Sequence, residues 1–574
     1  MKTKLLLLTL LSFTTALLLA FRFHEHKKVR LPNATSVQKK NTIRCGPDWD
    51  QLSKWFEEAS IPPIPGAGNY KWKISTKSDS AQFYFNQGIN MYYSFHIIES
   101  LASFKKAAKF DPDCAMLEWA QALAYGPNIN DVGYAASPDA LKSMGRATEL
   151  AGASTDKERM LIGAMTVRYS KDSTQTRAYL NQLYVDNMKE AYQKYPADAD
   201  VAALYADALM LQHPWDLWNL DGTPKQWTPL IRDILEKLLV RTPGHPGANH
   251  YYIHVMEPSP DAAKALASAD RLGKLTPGLS HTVHMPSHIY LRTGQFEKGI
   301  EVNEKAISSY KRSIPLYGAV TANDFLYFIH NAHMQTNQAM LAGKTAYSVQ
   351  SAIETVNGIP ADYLSISGPL GNYVQYIYMT PTFVNVRFGR WNELIHSPAP
   401  AATNIYATLL YHFGKGMAYA GLSRPNDAKQ ELTLLREAMK DSSLMVPMSP
   451  FSAAIEGAVV AENILAGTIS LKENDLTASI AAYQKAAKTE ENMVYNEPRD
   501  WILNPRHYLG HALLKAGKGS DAELVFRKDL SVNQENGWAL SGLQQALELQ
   551  NKKVEAQKVS ARLKKAFANA DIKL

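Results

Sequence analysis

The chain has 574 residues, a formal net charge of +7 and 46% hydrophobic residues. Such a length exceeds one compact domain unless the chain is built from repeats, and the composition excludes a disordered protein. Basic residues are interspersed with acidic ones and form no long block, which argues against a nucleic-acid partner.

The first 21 residues are typical of a targeting segment. "MKTK" is followed by an uncharged apolar run from Leu5 to Phe21, whose length lies between a signal-peptide core and the roughly 20 residues of a membrane-spanning helix. We therefore predict export to the periplasm or cell envelope. Residues 1–21 act either as a cleaved signal peptide or as an N-terminal membrane anchor, and we expect no other membrane contact.

The rest of the chain divides by composition. A polar, Pro-rich segment (22–80) precedes sequence with helical periodicity, in which Gly or Pro recurs about every fifteen to twenty residues. We predict N-terminal helical repeats with a Trp- and Pro-rich insertion (81–240), His-rich repeats (241–345) and C-terminal repeats (346–574). In an exported chain Cys45 and Cys114 can pair, although an apolar helical context also suits Cys114 as a buried thiol.

Three stretches share one plan. Gly88 is followed sixteen residues later by Phe104, Gly510 at the same interval by Phe526, and "YLRTGQFEKGIEVNEKAI" repeats the turn and second helix at 290–307. Two helices per unit of about 34 residues, with small residues where the helices cross, resemble the tetratricopeptide repeat. The resemblance implies an all-α, superhelical α-solenoid of helical hairpins, in which the first helix of each hairpin lines a concave groove.

Histidines are concentrated in the His-rich repeats. Half of the sixteen histidines lie between residues 245 and 333, and His250 precedes His284 by 34 residues, as His254 precedes His288. Histidines at helical spacings of three, four and seven residues share one face of a helix, so we expect them to converge on the groove. The candidate metal ligands are His250, His254, His281, His284, His288, His330 and His333.

Convergent imidazoles predict a transition-metal site. Imidazole suits copper, zinc and iron, and an oxidising compartment makes copper our first expectation. Seven histidines exceed the needs of one tetrahedral ion, so either two ions bind or some imidazoles act as orienting or acid–base groups. The HxxxH spacing on neighbouring helices is also analogous to that of type-3 dicopper proteins, whose fold differs. We expect Glu257 to be a ligand, an orienting group or a catalytic general base, with Tyr251, Asn249 and Asn331 as further orienting candidates.

Longer signatures extend the family resemblance. "GHPGANHYYIHVMEPSPDAAKALASADRL", "HTVHMPSHIYLRTGQFEKGIEVNEKA" and "HNAHMQTNQAMLAGK" resemble a widespread family of bacterial tetratricopeptide-repeat proteins with these histidine motifs. The similarity covers Phe83 to Gly343, and the C-terminal "NEPRDWILNPRHYLGHALLKAG" matches less closely. This resemblance implies a fold and no particular activity.

Two functional hypotheses follow. The first is a metal-dependent redox enzyme, such as an oxidase or oxygenase, whose metal lies in the histidine-rich groove. The second is a non-catalytic repeat scaffold that binds a peptide or protein partner in the groove. His96, His507 and His511 are weaker ligand candidates, and the aromatic residues of 212–227 either cap a pocket or pack in the core.

Overall fold

The computed structural model describes residues 61–130, 134, 137–317, 324–497 and 501–572, and these ranges contain α-helices, four short 3-10 helices and no β-strand. The predicted all-α fold class is confirmed. The targeting segment 1–21 and Cys45 lie outside the described residues, so export and cysteine pairing stay predictions. Cys114 is buried.

Among the described residues, the first helix begins at the end of the Pro-rich segment. Ser78 caps the first helix by accepting a hydrogen bond from the amide of Ala81, as short polar side chains do at helix N-termini. The N-terminal helices are α1 (Asp79–Tyr92), α2 (Ile97–Phe110), α3 (Ala115–Ala124), α4 (Pro138–Leu150), α5 (Asp156–Thr166), α6 (Arg177–Lys194), α7 (Ala199–Gln212) and α8 (Thr228–Arg241), with a 3-10 helix at Ala151–Ala153.

The His-rich repeats follow the same hairpin plan with one interruption. Proline at position 286 has no backbone N–H, so the helical ladder is broken there and the segment is divided into α11 and α12. The helices of this region are α9 (Pro246–Met256), α10 (Leu266–Leu275), α11 (Ser280–His284), α12 (Pro286–Arg292), α13 (Phe296–Tyr317) and α14 (Asp324–Leu341), with a 3-10 helix at Ala262–Ala265.

The C-terminal repeats continue as helical hairpins. Their helices are α15 (Thr345–Asn357), α16 (Pro369–Tyr378), α17 (Thr380–Arg387), α18 (Trp391–Ile395), α19 (Ile405–Gly421), α20 (Pro425–Ala438), α21 (Ala454–Lys472), α22 (Leu476–Asn492), α23 (Pro505–Lys515), α24 (Gly519–Val532), α25 (Gly537–Leu549) and α26 (Lys553–Ala566), and 3-10 helices lie at Ala361–Ser365 and Ser442–Met445.

The sequence repeat corresponds to a repeated packing contact. A Cβ atom added to Gly88 would lie 2.4 Å from the Phe104 ring, and one added to Gly510 would lie 2.3 Å from the Phe526 ring. In both hairpins the glycine therefore lets the phenylalanine of the second helix pack directly against the backbone of the first. The predicted small residues at the helix crossings serve this close approach.

The hairpin turns also share a backbone conformation. Gly294, Gly343 and Gly517 have φ angles of 69°, 72° and 73°, the left-handed conformation that commonly ends a helix at glycine. His281 and His284 lie 13 and 10 residues before Gly294, and His330 and His333 lie 13 and 10 residues before Gly343. The shared turn conformation therefore gives the equivalence of these positions a structural basis.

The C-terminal hairpins return to the His-rich repeats. The indole N–H of Trp538 donates to the carbonyl of Met340 over 2.9 Å. The carboxylate of Asp571 accepts hydrogen bonds from the amides of Thr345 and Ala346 at the start of α15. Asp571 is thus in contact with residues more than 200 positions earlier in the chain. The C-terminal repeats also place Glu497 beside His254.

Among the described residues, α21 is long and apolar enough to cross a membrane by length and composition. Half of its most apolar window is buried inside the protein. Core helices of soluble proteins share these properties, so α21 is weak support for a membrane span.

The Gly88–Phe104 contact generates a stability prediction. Gly88→Ala forces a methyl group against the ring, and we expect it to lower the free energy of unfolding by about 1–3 kcal/mol. Gly145 is the matched control, because it lies exposed in α4 with no neighbouring atom within 4 Å of an added Cβ. Gly145→Ala should be neutral or stabilising by up to about 1 kcal/mol. Urea-unfolding midpoints measure both effects, and equal midpoints for the two variants would contradict the proposed role of Gly88.

Candidate metal centre

The seven predicted histidines lie inside the protein and not on an open groove. Six of them are at most 5% exposed, and His330 is half-buried. We expected these histidines to line an exposed concave groove, and the structure shows instead that they are buried. The reason is long-range: aromatic side chains from other hairpins and the segment 493–497 cover the imidazoles.

The first histidine trio consists of His250, His254 and His281, whose ligand atoms lie within 4.8 Å of one another. The Nε2 atom of His250 is at the centre, 3.0 Å from Nε2 of His254 and 3.1 Å from Nε2 of His281. Two of these residues lie one helical turn apart on α9, and the third comes from α11. The repeat thus brings together imidazoles from consecutive first helices, as the 34-residue spacing predicts.

Hydrogen bonds on the far side of the rings determine where the lone pairs point. Nδ1 of His250 lies 2.7 Å from the Tyr93 carbonyl oxygen, which can only accept, so His250 carries its proton on Nδ1. Its Nε2 atom then has one lone pair facing two other Nε2 atoms. One lone pair accepts one hydrogen bond, so the contacts of His250 with both partners are not satisfied by hydrogen bonding alone. A cation at the point of convergence satisfies all three nitrogens.

The second histidine trio consists of His284, His288 and His330. Nε2 of His284 lies 2.8 Å from Nε2 of His288. Nδ1 of His284 donates to Oδ1 of Asn303 over 2.5 Å, and the Asn303 amide nitrogen donates in turn to the Gly299 carbonyl. This orientation of the amide leaves Nε2 of His284 as a bare lone pair. The His330 ring lies 4.8 Å from that of His284, and its buried Nε2 has no hydrogen-bond partner among the described residues.

Glu257 connects the two trios. Its Oε1 atom lies 3.1 Å from Nδ1 of His254 in the first trio, and Oε2 lies 3.0 Å from Nδ1 of His288 in the second. The hydroxyl of Tyr495 donates to the same Oε2 over 2.8 Å. The carboxylate is fully buried; it accepts a hydrogen bond from Nδ1 of His254 and is in ion-pair contact with Nδ1 of His288, so it favours inward-facing Nε2 atoms on both rings. Carboxylates orient metal-binding histidines in this way.

The buried carboxylates and imidazoles shift one another's pKa values. Burial would raise the pKa of Glu257, but the neighbouring His288 and His254 hold it well below its ordinary value. Burial lowers the pKa of His254, yet Glu257 and Glu497 outweigh it and raise that pKa to about 9. Burial and the other imidazoles keep the pKa of His250 and His281 well below the ordinary value, so these rings are neutral and available as ligands.

Three residues with strained backbones form the wall of the first trio. Phe95, Trp215 and Glu497 have φ angles of 56°, 61° and 46°, a left-handed conformation that is costly for residues with a side chain. The Phe95 ring lies 4.4–5.7 Å from the rings of all three histidines. The Trp215 ring meets His254 edge-on at 5.3 Å, and Oε1 of Glu497 lies 3.3 Å from Nδ1 of the same histidine.

His333 is not brought into either trio. Its Nδ1 atom lies 2.9 Å from the Thr380 hydroxyl, and that hydroxyl donates to the Ile377 carbonyl, so the histidine is the donor. Its ring contacts Tyr376 at 5.6 Å. By sequence position His333 is equivalent to His284. Nδ1 of His284 contacts Asn303, whereas Nδ1 of His333 contacts Thr380.

The weaker candidates lie elsewhere. Nδ1 of His96 is 3.8 Å from Glu99, and Nε2 of His507 is 2.9 Å from Asp529 in a separate buried network. His511 is an exposed residue of α23 and belongs to neither trio.

The predicted orienting residues Tyr251, Asn249 and Asn331 make no hydrogen bond to the trios. The Asn249 amide donates to the carbonyls of Pro243 and His245. The Tyr251 hydroxyl and the Asn331 amide have no hydrogen-bond partner among the described residues. Of the four candidates, Glu257 alone contacts the imidazoles through a polar atom.

Sequence reasoning missed the groups that actually orient the rings. Asn303 lies 19 residues from its partner, the Tyr93 carbonyl 157 and Tyr495 238, and Glu497 is further still from His254. Of these groups, only Glu497 lies in a stretch that the sequence analysis singled out, the C-terminal family signature that begins "NEPRD". That signature did not indicate that Glu497 would contact His254. Trp215 lies in the Trp-rich insertion, and its contact with His254 favours the capping role considered for that stretch.

The contact between Tyr495 and Glu257 generates a prediction for the metal-free protein. Tyr495→Phe removes a hydrogen bond to a buried carboxylate, and we expect a loss of about 1–3 kcal/mol in the free energy of unfolding. Tyr251→Phe is the matched control, since that buried hydroxyl has no hydrogen-bond partner, and its removal should be neutral or stabilising. Urea midpoints of chelator-treated protein test the pair, and a Tyr495→Phe midpoint equal to that of the parent would refute the interaction.

No protein-family model and no curated protein matches the chain. Among solved structures, human IFIT1 in a dimer with m7Gppp-AAAA matches with 10% identity and a TM-score of 0.30 over 91% of this chain and 94% of that chain. Yeast Tom70 matches with 11% identity and a TM-score of 0.28 over 84% of this chain and 93% of that chain.

The tetratricopeptide-repeat domain of P58(IPK) matches with 12% identity and a TM-score of 0.20 over 82% of this chain and 99% of that chain. Such identities concern the fold alone, and such TM-scores carry no inference about activity. The helical hairpins described above agree with the tetratricopeptide-like repeat recognised from the sequence.

Proposed function

We propose that this helical-repeat protein binds two transition-metal ions, one at each histidine trio. One observation carries the proposal: Nε2 atoms of the histidine side chains face one another at 2.8–3.1 Å in both trios. Lone pairs at this separation repel unless a proton or a metal ion lies among them. A cluster of six imidazoles, five of them buried, is a donor set for metal ions.

The spacing of the donor atoms fits this role. Two nitrogens that each lie about 2.0 Å from one ion, at a tetrahedral angle, are about 3.3 Å apart. The observed contacts of 3.0 and 3.1 Å in the first trio are shorter by a few tenths of an ångström. Small rotations of the imidazole rings supply that difference, so no rearrangement of the helices is required.

Copper is our first choice of metal, because the predicted export leads to an oxidising compartment. Imidazole ligation suits copper, zinc and iron alike, so zinc and iron are the alternatives. When bound, a copper or iron pair would supply redox chemistry, which makes a metal-dependent redox enzyme the activity that we propose. The residues of the chain then have distinct roles. The imidazoles hold the ions, Glu257 and Asn303 fix the ring orientations, and Phe95 and Trp215 exclude water from the first trio.

The competing hypothesis, a metal-free groove that binds a peptide, has less support from the site. Phe95, Trp215 and Glu497 cover the first trio, and five of the six imidazoles in the two trios are at most 3% exposed. A peptide has no access to buried rings of this kind. A protein partner on another surface of the repeats is compatible with the proposal and is not required by it.

Metal stoichiometry tests the proposal directly. We expect two equivalents of metal per chain by elemental analysis of protein prepared without a chelating affinity tag. His281→Ala should lose the first ion and His330→Ala the second, each retaining about one equivalent. His396→Ala is the control, because His396 is exposed and distant in sequence from both trios. Two equivalents in all three variants, or none in the parent protein after metal addition, would sink the proposal.

The bridging position of Glu257 predicts a coupled effect. Glu257→Gln has one acceptor oxygen in place of two, so it cannot orient His254 and His288 at the same time. We expect the affinity for both ions to fall by about 10- to 100-fold. Competition with a chromophoric chelator measures the two affinities, with Glu393→Gln on the surface as control. Weakening of only one ion would contradict the bridging role.

A further inference from the structure

The last described helix of the chain, α26 (Lys553–Ala566), has one buried and one exposed face. Its buried residues, Ala556 and Val559, belong to the apolar core of the C-terminal hairpins. Five of its fourteen residues are basic, and Glu555 is the single acidic one. The charge of this helix is therefore strongly one-sided, unlike the mixed charge of the chain as a whole.

The exposed face of α26 has a regular order. At about 100° per residue, Val554 and Ala561 fall at nearly the same angle around the helix, opposite the buried Ala556 and Val559. Val554 is 68% exposed. Two exposed lysines border this apolar strip on each side, Lys553 and Lys564 on one side and Lys558 and Lys565 on the other. The face is thus apolar along its middle and cationic along both edges.

The four lysines of this face make no ion pair with any of the described residues. The remaining charged side chains of α26 are neutralised by neighbouring helices and turns. Glu555 pairs with Arg527 at 3.0 Å, and Arg562 pairs with Glu535 at 2.7 Å. Four positive charges therefore face the solvent without compensation, which calls for a partner of opposite charge.

A cationic face with an apolar middle fits an anionic lipid surface. Amphipathic helices of this kind lie in the plane of the membrane interface, where lysine stems cover apolar surface and the ammonium groups reach lipid phosphates. Each lysine near such a surface raises the affinity about fivefold, and four of them raise it about 600-fold. Fourteen residues are fewer than the roughly 20 that span a bilayer, so the helix lies on the membrane and does not cross it.

The same face lacks the groups that nucleic acids select. Arginine reads base edges in two hydrogen bonds, and aromatic side chains stack on unpaired bases. The described residues of the exposed face include neither an arginine nor an aromatic side chain. Lysine acts as a point charge without bidentate geometry, which suits the dispersed phosphates of lipid headgroups.

We propose that the exposed face of α26 docks on the anionic phospholipid surface of a membrane. The docking does not involve the metal centre and is independent of the proposed function. We expected no membrane contact beyond residues 1–21, and α26 would add a second contact at the other end of the chain. Two contacts of this kind hold a protein at a membrane more firmly than one.

Acetylation of lysines by a water-soluble reagent, measured by mass spectrometry on the full chain, tests the docking. Vesicles consist either of phosphatidylcholine or of an equal mixture with phosphatidylglycerol. We expect the mixed vesicles to slow acetylation of the four lysines by about fivefold or more. Lys189, an exposed lysine of α6, is the internal control and should react at an unchanged rate.

Neutral vesicles separate this docking from insertion of residues 1–21, because an apolar segment enters both kinds of vesicle. We expect them to protect none of the four lysines. Equal acetylation of these lysines with neutral and with mixed vesicles would overturn the proposal. Raising the salt from about 0.1 M to about 1 M shortens the screening length from about 10 Å to about 3 Å and should abolish the protection. Protection that persists at the higher salt would contradict an electrostatic contact.

A substitution in the apolar strip locates the docking face. Val554→Glu places a carboxylate between the two lysine borders, so we expect the mixed vesicles to protect the four lysines no better than neutral vesicles do. Val240→Glu is the matched control, because Val240 is 84% exposed on α8, and its protection should equal that of the parent protein. Full protection in the Val554→Glu variant would refute the location.

Losing one lysine border tests the contribution of charge. In the double variant Lys553→Gln and Lys564→Gln, we expect the mixed vesicles to protect Lys558 and Lys565 much less, because two of the four charges are lost. The double variant with arginine at the same positions keeps the charge and should restore the protection. Equal protection in the glutamine and arginine variants would contradict the proposed role of the lysines.

Two further probes identify the source of the phosphate. Inorganic phosphate at millimolar concentration should leave the acetylation rates unchanged, and protection equal to that by the mixed vesicles would overturn a requirement for a lipid surface. A single-stranded RNA without vesicles should also protect weakly. Stronger protection by the RNA than by the mixed vesicles would assign the face to nucleic acid and overturn the membrane proposal.

Discussion

The contact of one buried carboxylate with two imidazoles organises the centre. Glu257 is fully buried and lies 3.0–3.1 Å from Nδ1 of His254 and of His288. Removing a carboxylate from water is costly unless it is paired and hydrogen-bonded. The pairing therefore requires an N–H on both rings, and both Nε2 atoms must turn away from Glu257 toward the other histidines. The orientation of the His254 and His288 rings thus follows from their pairing with the buried carboxylate of Glu257.

The repeat explains how six imidazoles come together without a dedicated fold. Equivalent positions in consecutive hairpins place His250 and His254 beside His281, while His284 and His288 meet His330 of the next hairpin. Each trio thus contains a pair one helical turn apart and a single residue from a neighbouring first helix. The stack of hairpins supplies the distance between helices, and only a few side chains must be specified to make the site.

The sequence predicts the local features well because they depend on short periods. Helical hairpins, crossing glycines such as Gly88 and six of the clustered histidines all follow from spacings of 3, 4, 16 or 34 residues. Burial and hydrogen-bond partners depend on the return of the C-terminal segment and on neighbouring hairpins, which no short period encodes. His333 illustrates the limit: it is at the same repeat position as His284, yet it lies beside Thr380 and Tyr376 and belongs to neither trio.

The cost of this centre to stability argues that it is kept for a purpose. Strained backbones at Phe95, Trp215 and Glu497 cost on the order of 1–3 kcal/mol each, and they come from three separate parts of the chain to meet around His254. Buried charges are often no more stabilising than apolar side chains of the same volume. A core selected for packing alone would replace these groups with leucine or valine. Their convergence on one set of lone pairs is explained when those lone pairs have a ligand to hold.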